Sequence, residues 1–135
     1  MVWTATSDPH QGHPMLSHLR LLIIEDVFLI ALEIQRIIEG ANAAETVFLR
    51  DFAEAAPLID KFGEFDLAIV NPPDPMSLEI AGRLAAAGPA IVVCTAADTD
   101  LSGTPLAGAP IVIKPFSDDD LLAACRQALA TKATA

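Results

Sequence analysis

Basic residues are scarce in this sequence. Lys and Arg total 8 against 18 Asp and Glu, which gives a formal net charge of −10. A surface this acidic is repelled by the phosphates of nucleic acids and by anionic lipids. We therefore expect no nucleic-acid or membrane binding, and we expect a protein or a cation as the partner.

Long hydrophobic runs are also absent. No apolar run approaches the roughly 18 residues that a membrane-spanning helix needs, and the N-terminus lacks the basic start and apolar centre of a secretion signal. The sequence therefore predicts a cytoplasmic protein. The hydrophobic content is nevertheless 53%, enough for a folded core, and 135 residues fit one domain.

Cysteines are few, and the short motifs of common enzymes are missing. Cys94 and Cys125 lie in apolar segments without CxxC spacing, which predicts buried, reduced thiols. There is no GxGxxG, no P-loop and no Ser, His, Asp set on plausible elements, so small-molecule binding has little support. We expect no enzymatic activity and no tightly bound cofactor.

Short apolar runs alternate with helix-like stretches from Leu19 onward. This alternation predicts repeated βα units around a parallel sheet. The apolar runs at 21–24, 46–49, 67–70, 90–94 and 111–113 are the predicted strands. Residues 1–18 mix Pro, Gly, His and Ser without periodicity, which predicts a flexible N-terminal tail before a domain at 19–135.

Helix signals follow most of these strands. A first helix is predicted from Val27, a second from Asp51 with a kink or late start at Pro57, and a last one behind a capping box at Ser117. The segment between the fourth and fifth strands contains Pro and Gly and lacks helical periodicity, so the fourth helix is predicted to be shortened or missing.

The first helix carries more apolar residues than its core-facing stripe requires. Phe28, Leu29 and Leu32 are the additional positions. They fit either extra core packing or a surface that binds a partner. The sequence leaves both interpretations open.

Polar side chains come directly after four of the predicted strands. They are Glu25 and Asp26, then Asn71, then Thr95, then Lys114. The carboxyl ends of parallel strands meet at one edge of a sheet, where ligands bind. We therefore expect two carboxylates, an amide, a hydroxyl and an ammonium around one small cavity.

At this point the sequence resembles the receiver domain of response regulators, over about residues 19–130. The matching motifs are LLIIED with FLIALEI, FDLAIVNPPDP, IVVCTA and IVIKPF. The resemblance implies a CheY-like, flavodoxin-like α/β fold, a (βα)5 three-layer sandwich with the parallel sheet order 2-1-3-4-5. It also implies a role in two-component phosphorelay signal transduction, with a histidine kinase, a phosphotransfer protein or another regulator as partner.

The resemblance also implies a role for each residue at the predicted edge. Glu25 and Asp26 match the acidic pair that holds Mg²⁺, and Thr95 and Lys114 match the hydroxyl and ammonium that contact the phosphoryl group. Asn71 matches the phosphoacceptor aspartate. An amide is a poor oxygen nucleophile, so we expect no aspartyl phosphorylation at position 71 and only weak Mg²⁺ binding.

Three further features bear on this degenerate site. Lys114 has an alternative role, in which it forms an ion pair with the acidic pair and holds the pocket shut. Asp74, three residues after Asn71, is a substitute acceptor candidate, although we expect its loop to lie out of reach of Thr95 and Lys114. Ile111 stands where receivers usually carry an aromatic switch residue.

The sequence therefore predicts a stand-alone atypical receiver, a pseudo-receiver that acts as a phosphorylation-independent protein-interaction module. Homodimer formation is one form that this interaction could take. The alternative is a phosphorylatable single-domain response regulator that uses a non-standard acceptor such as Asp74.

Overall fold

The computed structural model describes residues 2–5, 14–97 and 99–134. The strands are β1 Val2–Ala5, β2 Arg20–Ile24, β3 Glu45–Leu49, β4 Leu67–Val70, β5 Ala90–Thr95 and β6 Ile111–Ile113. The α-helices are α1 Phe28–Gly40, α2 Phe52–Ala55, α3 Leu78–Ala87 and α4 Asp118–Thr134. Short 3-10 helices cover Pro14–Leu16, Ala56–Glu64 and Pro75–Ser77.

The strands form one sheet in the order β1-β3-β2-β4-β5-β6. All pairings from β3 to β6 are parallel, and these five strands have the order 2-1-3-4-5, as predicted. All four residues of β4 are buried, because helices cover both faces of the sheet. One core cluster packs under α1 and α4 and the other under α2 and α3.

Helix α1 buries one stripe and exposes the rest. Its buried residues are Ala31, Ile34, Ile37 and Ile38, spaced three and four apart. Phe28, Leu29 and Leu32 are instead exposed, at 50%, 75% and 40% of their full area. Extra core packing is therefore the wrong interpretation of these three residues.

The second helix is interrupted where the sequence indicated. The Asp51 carboxylate caps α2 by accepting a hydrogen bond of 2.9 Å from the Glu54 N–H. The α-helix ends at Ala55, and the chain continues past Pro57 as a 3-10 helix. Proline removes one backbone donor and crowds the preceding turn, which explains this early end.

The fourth helix is missing from the described residues between β5 and β6. The chain there follows turns in which Gly103 and Gly108 take φ angles of 80° and 87°, a region that L side chains rarely adopt. Leu101 and Leu106 are buried and cover part of the sheet. Ile111 and Ile113 on β6 stay exposed, at 40% and 45%.

The prediction of a flexible tail at 1–18 is wrong for residues 2–5 and for Leu16. Strand β1 pairs antiparallel with β3, and Leu16 is fully buried with its N–H bonded to the Ala41 carbonyl at 2.9 Å. A short edge strand satisfies its backbone groups on a neighbour, and a single leucine can fill a core gap, so neither produces a sequence period. Residues 6–13 lie outside the described residues.

The last helix begins with the predicted capping box. The Asp120 N–H donates to the Ser117 hydroxyl at 3.0 Å, and the Ser117 N–H donates to the Asp120 carboxylate at 3.1 Å. The three aspartates therefore start a helix at its electropositive end. None of the helices in the described ranges is long and apolar enough to cross a bilayer.

Both cysteines are free thiols inside the core, as the sequence predicted. Cys94 and Cys125 are buried in the cluster under α1 and α4. Burial raises the pKa of each thiol to about 12. The reactive thiolate is therefore almost absent at neutral pH.

Candidate functional site

The backbone fixes the polar residues at the carboxyl edge of the sheet. The N–H of Glu25 donates to the Leu49 carbonyl, and the N–H of Asn71 donates to the Ile24 carbonyl, both at 2.9 Å. The N–H of Lys114 donates to the Thr95 carbonyl at 2.8 Å. The sheet hydrogen bonds thus continue one residue past β2, β4 and β6, which leaves little freedom in where these side chains start.

A buried ion pair joins the two sides of this edge. Lys114 Nζ lies 2.7 Å from Glu25 Oε1, and the two side chains are only 12% and 1% exposed. The second oxygen of Glu25 accepts the Val27 N–H at 2.9 Å. Removing one partner of a buried pair leaves an uncompensated charge, which commonly costs about 3–5 kcal/mol of unfolding free energy.

The Asn71 amide bridges the ion pair to the second carboxylate. Asn71 Nδ2 donates to Asp26 Oδ1 at 2.7 Å and lies 3.5 Å from Glu25 Oε2. Asn71 Oδ1 accepts a hydrogen bond of 3.3 Å from Lys114 Nζ. The opposite amide orientation would set donor against ammonium and acceptor against carboxylate, so the charges on either side fix this one.

The amide also bears on the Mg²⁺ site that the resemblance implies. A divalent cation needs oxygen ligands converging on one point, but here the hydrogens of Asn71 Nδ2 point at the carboxylate oxygens of Asp26 and Glu25. No cluster of three or more His, Cys, Asp or Glu suited to a metal occurs among the described residues. This arrangement does not fit a divalent cation.

The side chain of the fifth predicted residue, Thr95, is bonded within its own loop. Thr95 is buried at 8% exposure, and its hydroxyl lies 3.1 Å from the Thr99 hydroxyl. It also accepts the Ala97 N–H at 3.5 Å. These bonds join the Thr95 hydroxyl to the loop that follows β5.

A small cavity opens beside the amide. Its volume is ≈ 150 Å³, and Asp26, Asn71 and the exposed Asp74 share it. Thr95 and Lys114 do not line it. Its wall also contains two charged residues that were not expected at this site, Arg50 and Asp51, although both follow β3 and the same rule about strand ends applies to them.

The pKa of Asp26 is lowered from its ordinary value. Burial by itself raises this pKa, but the side-chain interactions with Glu25 and Asn71 and the charge of Lys114 outweigh that effect. Asp26 therefore stays ionised in the folded protein down to lower pH than in the unfolded chain.

Comparison with known proteins identifies the fold. No protein-family model and no curated protein matches the sequence. Among solved structures, the signal receiver domain of an HD domain-containing protein from Pseudomonas fluorescens Pf-5 superimposes with a TM-score of 0.67 at 23% identity, covering 96% of this chain and 94% of that one. The signal receiver domain of a modulated diguanylate cyclase from Desulfovibrio desulfuricans G20 gives 0.71 at 21% identity, covering 87% and 98%.

A third structure is consistent with these two. A response regulator receiver domain from Clostridium thermocellum gives a TM-score of 0.66 at 18% identity, covering 86% of this chain and 98% of that one. The structural neighbours are thus receiver domains, and this chain has the CheY-like, flavodoxin-like fold.

Replacing the amide with a carboxylate tests what Asn71 contributes. Asn71→Asp brings a third negative charge against Asp26 and Glu25 and removes a donor. Without divalent cations we expect it to lower the unfolding free energy by about 1–3 kcal/mol. Millimolar Mg²⁺ should restore much of this loss and leave the wild type unchanged in thermal melts. Asn42→Asp, at an amide bonded to the Ser17 hydroxyl, is the control, and equal losses in both variants would contradict this role.

The lowered pKa of Asp26 predicts a pH dependence. Its stabilising contribution is complete above the unfolded-state pKa, about 3.9, and is lost as pH falls through the lower folded-state pKa. The unfolding free energies of the wild type and Asp26→Asn, measured with urea, should therefore differ most near neutral pH and become equal in acid. Asp119→Asn controls for the loss of one exposed carboxylate. A difference for Asp26→Asn that stays constant down to acid would contradict this account.

Proposed function

We propose that this chain is an atypical receiver of two-component signal transduction that acts as a protein-interaction module without being phosphorylated. The observation that supports it most directly is the Asn71 amide, which is held by Asp26 and Lys114 and stands where the resemblance to receivers puts the phosphoacceptor. We expect its partner to be a histidine kinase, a phosphotransfer protein or another regulator, and not a nucleic acid or a membrane.

The chemistry at the site supports an unreactive pocket. An acyl phosphate forms when a carboxylate oxygen attacks phosphorus, and a neutral amide has no such anion. The ammonium of Lys114 is already neutralised by Glu25 at 2.7 Å. An incoming phosphoryl group would have to break this buried pair, so the pocket is closed by its own charges.

An exposed apolar surface on α1 supports binding of a protein. Val27, Phe28, Leu29 and Leu32 are each at least 40% exposed. Two of them, Val27 and Leu29, line a groove of ≈ 460 Å³ together with Ile30, Glu33, Ala96, Lys114, Pro115 and Phe116. Such a groove suits the apolar face of a partner helix. Lys114 contributes both to the groove and to the ion pair, which connects the binding surface to the closed pocket.

A second candidate function is a switch that is phosphorylated on Asp74. The observation that favours it is the shared cavity, which places the exposed Asp74 beside Asp26 and Asn71. The Lys114 ammonium does not line that cavity, so an acyl phosphate on Asp74 would lack the cation that neutralises it. This makes Asp74 the weaker candidate.

Intact-mass measurement after incubation with acetyl phosphate and Mg²⁺ separates the two functions. We expect no phosphoryl adduct on the wild type, because position 71 lacks a nucleophile. Asn71→Asp should gain a Mg²⁺-dependent adduct that hydroxylamine removes. An adduct on the wild type that disappears in Asp74→Asn would refute phosphorylation-independent action and establish the second candidate.

The α1 surface is tested by changing its most exposed residue. Leu29→Lys places a charge where a partner would bury an apolar side chain, so we expect roughly tenfold weaker binding, about 1.4 kcal/mol, to histidine kinases and phosphotransfer proteins of the same cell. Quantitative pull-down measures this loss. Met76→Lys, at a methionine 93% exposed elsewhere, is the control and should bind as the wild type does. Equal binding by the wild type, Leu29→Lys and Met76→Lys would place the interface away from α1.

A further inference from the structure

The two edges of the sheet differ. On one side, β1 pairs antiparallel with β3 and covers its outer edge. On the other side, β6 pairs with β5, and no further strand of the described residues lies beyond it. An open edge strand offers unpaired backbone groups to another strand.

The backbone of β6 turns alternate residues toward this open edge. The Pro110 carbonyl accepts the Val93 N–H at 2.9 Å, and the Lys114 N–H donates to the Thr95 carbonyl at 2.8 Å. Because backbone groups alternate along a strand, residues 110, 112 and 114 face β5. Ile111 and Ile113 therefore turn their N–H and C=O groups outward.

The window of outward donors is short and bounded at both ends. The N–H of Ala109 is bonded to the Leu106 carbonyl at 3.1 Å, and Pro115 has no N–H. Only Ile111 and Ile113 remain as outward donors in this stretch. Another copy of β6 has a window of the same length, with the same two outward residues, so the two windows match from end to end.

The same two residues expose apolar side chains. Val112 is buried at 5% in the cluster under α1 and α4, so Ile111 and Ile113 point to the opposite face. No helix covers that face between β5 and β6 in the described residues. The two isoleucines are 40% and 45% exposed for this reason.

Charge around the edge favours a second copy over a basic partner. The groove between β6 and α4 is lined by uncharged residues, among them Ala123, Ala124 and Gln127, with Asp120 its one charged member. Lys114, just beyond β6, is neutralised by Glu25. This groove thus holds a single charged side chain, so an equally acidic copy meets little local repulsion beside β6, although each chain has a net charge of −10.

We propose that two copies of this chain associate through antiparallel pairing of their β6 strands around a two-fold axis at Val112. In this pairing Ile111 of each copy lies opposite Ile113 of the other, and each opposed pair exchanges two backbone hydrogen bonds. The four isoleucines lie together on the face that no helix covers. This association is independent of the partner surface on α1 and of the phosphorylation state.

Sedimentation velocity between about 10 µM and about 1 mM protein tests the association, because a three-residue strand makes a small interface of the weak, transient class. We expect a dimer fraction that grows with concentration. It should also grow with added NaCl, which screens the repulsion between two chains of charge −10. A monomer throughout this range would overturn the proposal.

Three variants locate the interface. Ile111→Lys should abolish the dimer while melting as the wild type does, because a solvated lysine on an edge strand opposes pairing with another strand. Ile111→Thr keeps the β-branched shape and should weaken the dimer less. Leu29→Lys, which changes the α1 surface, should leave the dimer intact. A dimer lost in Leu29→Lys and kept in Ile111→Lys would overturn the proposal without touching the proposed function.

Cysteine crosslinking tests the register. The Cα atoms of opposed Ile111 and Ile113 should lie about 5.5 Å apart, within the range of disulfides. A mixture of Ile111→Cys and Ile113→Cys chains should therefore crosslink under mild oxidation faster than either variant alone. Native Cys94 and Cys125 are buried, and the pKa of each is about 12, so they should not compete. Equal crosslinking of the single variants would refute this pairing.

Discussion

The polar edge of the sheet depends on the buried ion pair between Lys114 and Glu25. The Asn71 amide accepts a hydrogen bond from the same ammonium. These residues extend from β6, β2 and β4, so the contacts hold the ends of non-adjacent strands together. The ammonium lies against a carboxylate and an amide oxygen, and the amide donates to Asp26. A carboxylate at position 71 would upset this balance unless a cation joined it.

This constraint gives the proposed function a physical basis. In a phosphorylatable site, a cation offsets the repulsion within a cluster of carboxylates, and an added phosphoryl group changes the charge of that cluster. Here a neutral amide at position 71 donates to Asp26 in place of a third carboxylate. Under the proposed function, partners then bind surfaces outside this pocket, such as the α1 groove and the open edge of β6.

Several predictions made from the sequence follow from local chemistry. The five parallel strands, the interruption at Pro57, the capping box at Ser117 and the missing fourth helix are each carried by short apolar runs or by residues with special backbone preferences. The strand order itself came from the resemblance to receivers. The tail was mispredicted because β1 is held by backbone pairing and Leu16 by one core gap, and neither leaves a periodic pattern.

By itself, the sequence determined which residues follow the strand ends and that position 71 lacks a carboxylate, because strand ends and residue identity are local properties. Only the tertiary structure decided which side chains contact each other. It paired Lys114 with Glu25, turned Thr95 toward Thr99, and left Leu29 and Ile111 exposed. These outcomes depend on distances between segments far apart in the chain and on which faces the helices cover, and side-chain partners and exposure are fixed only when those segments pack.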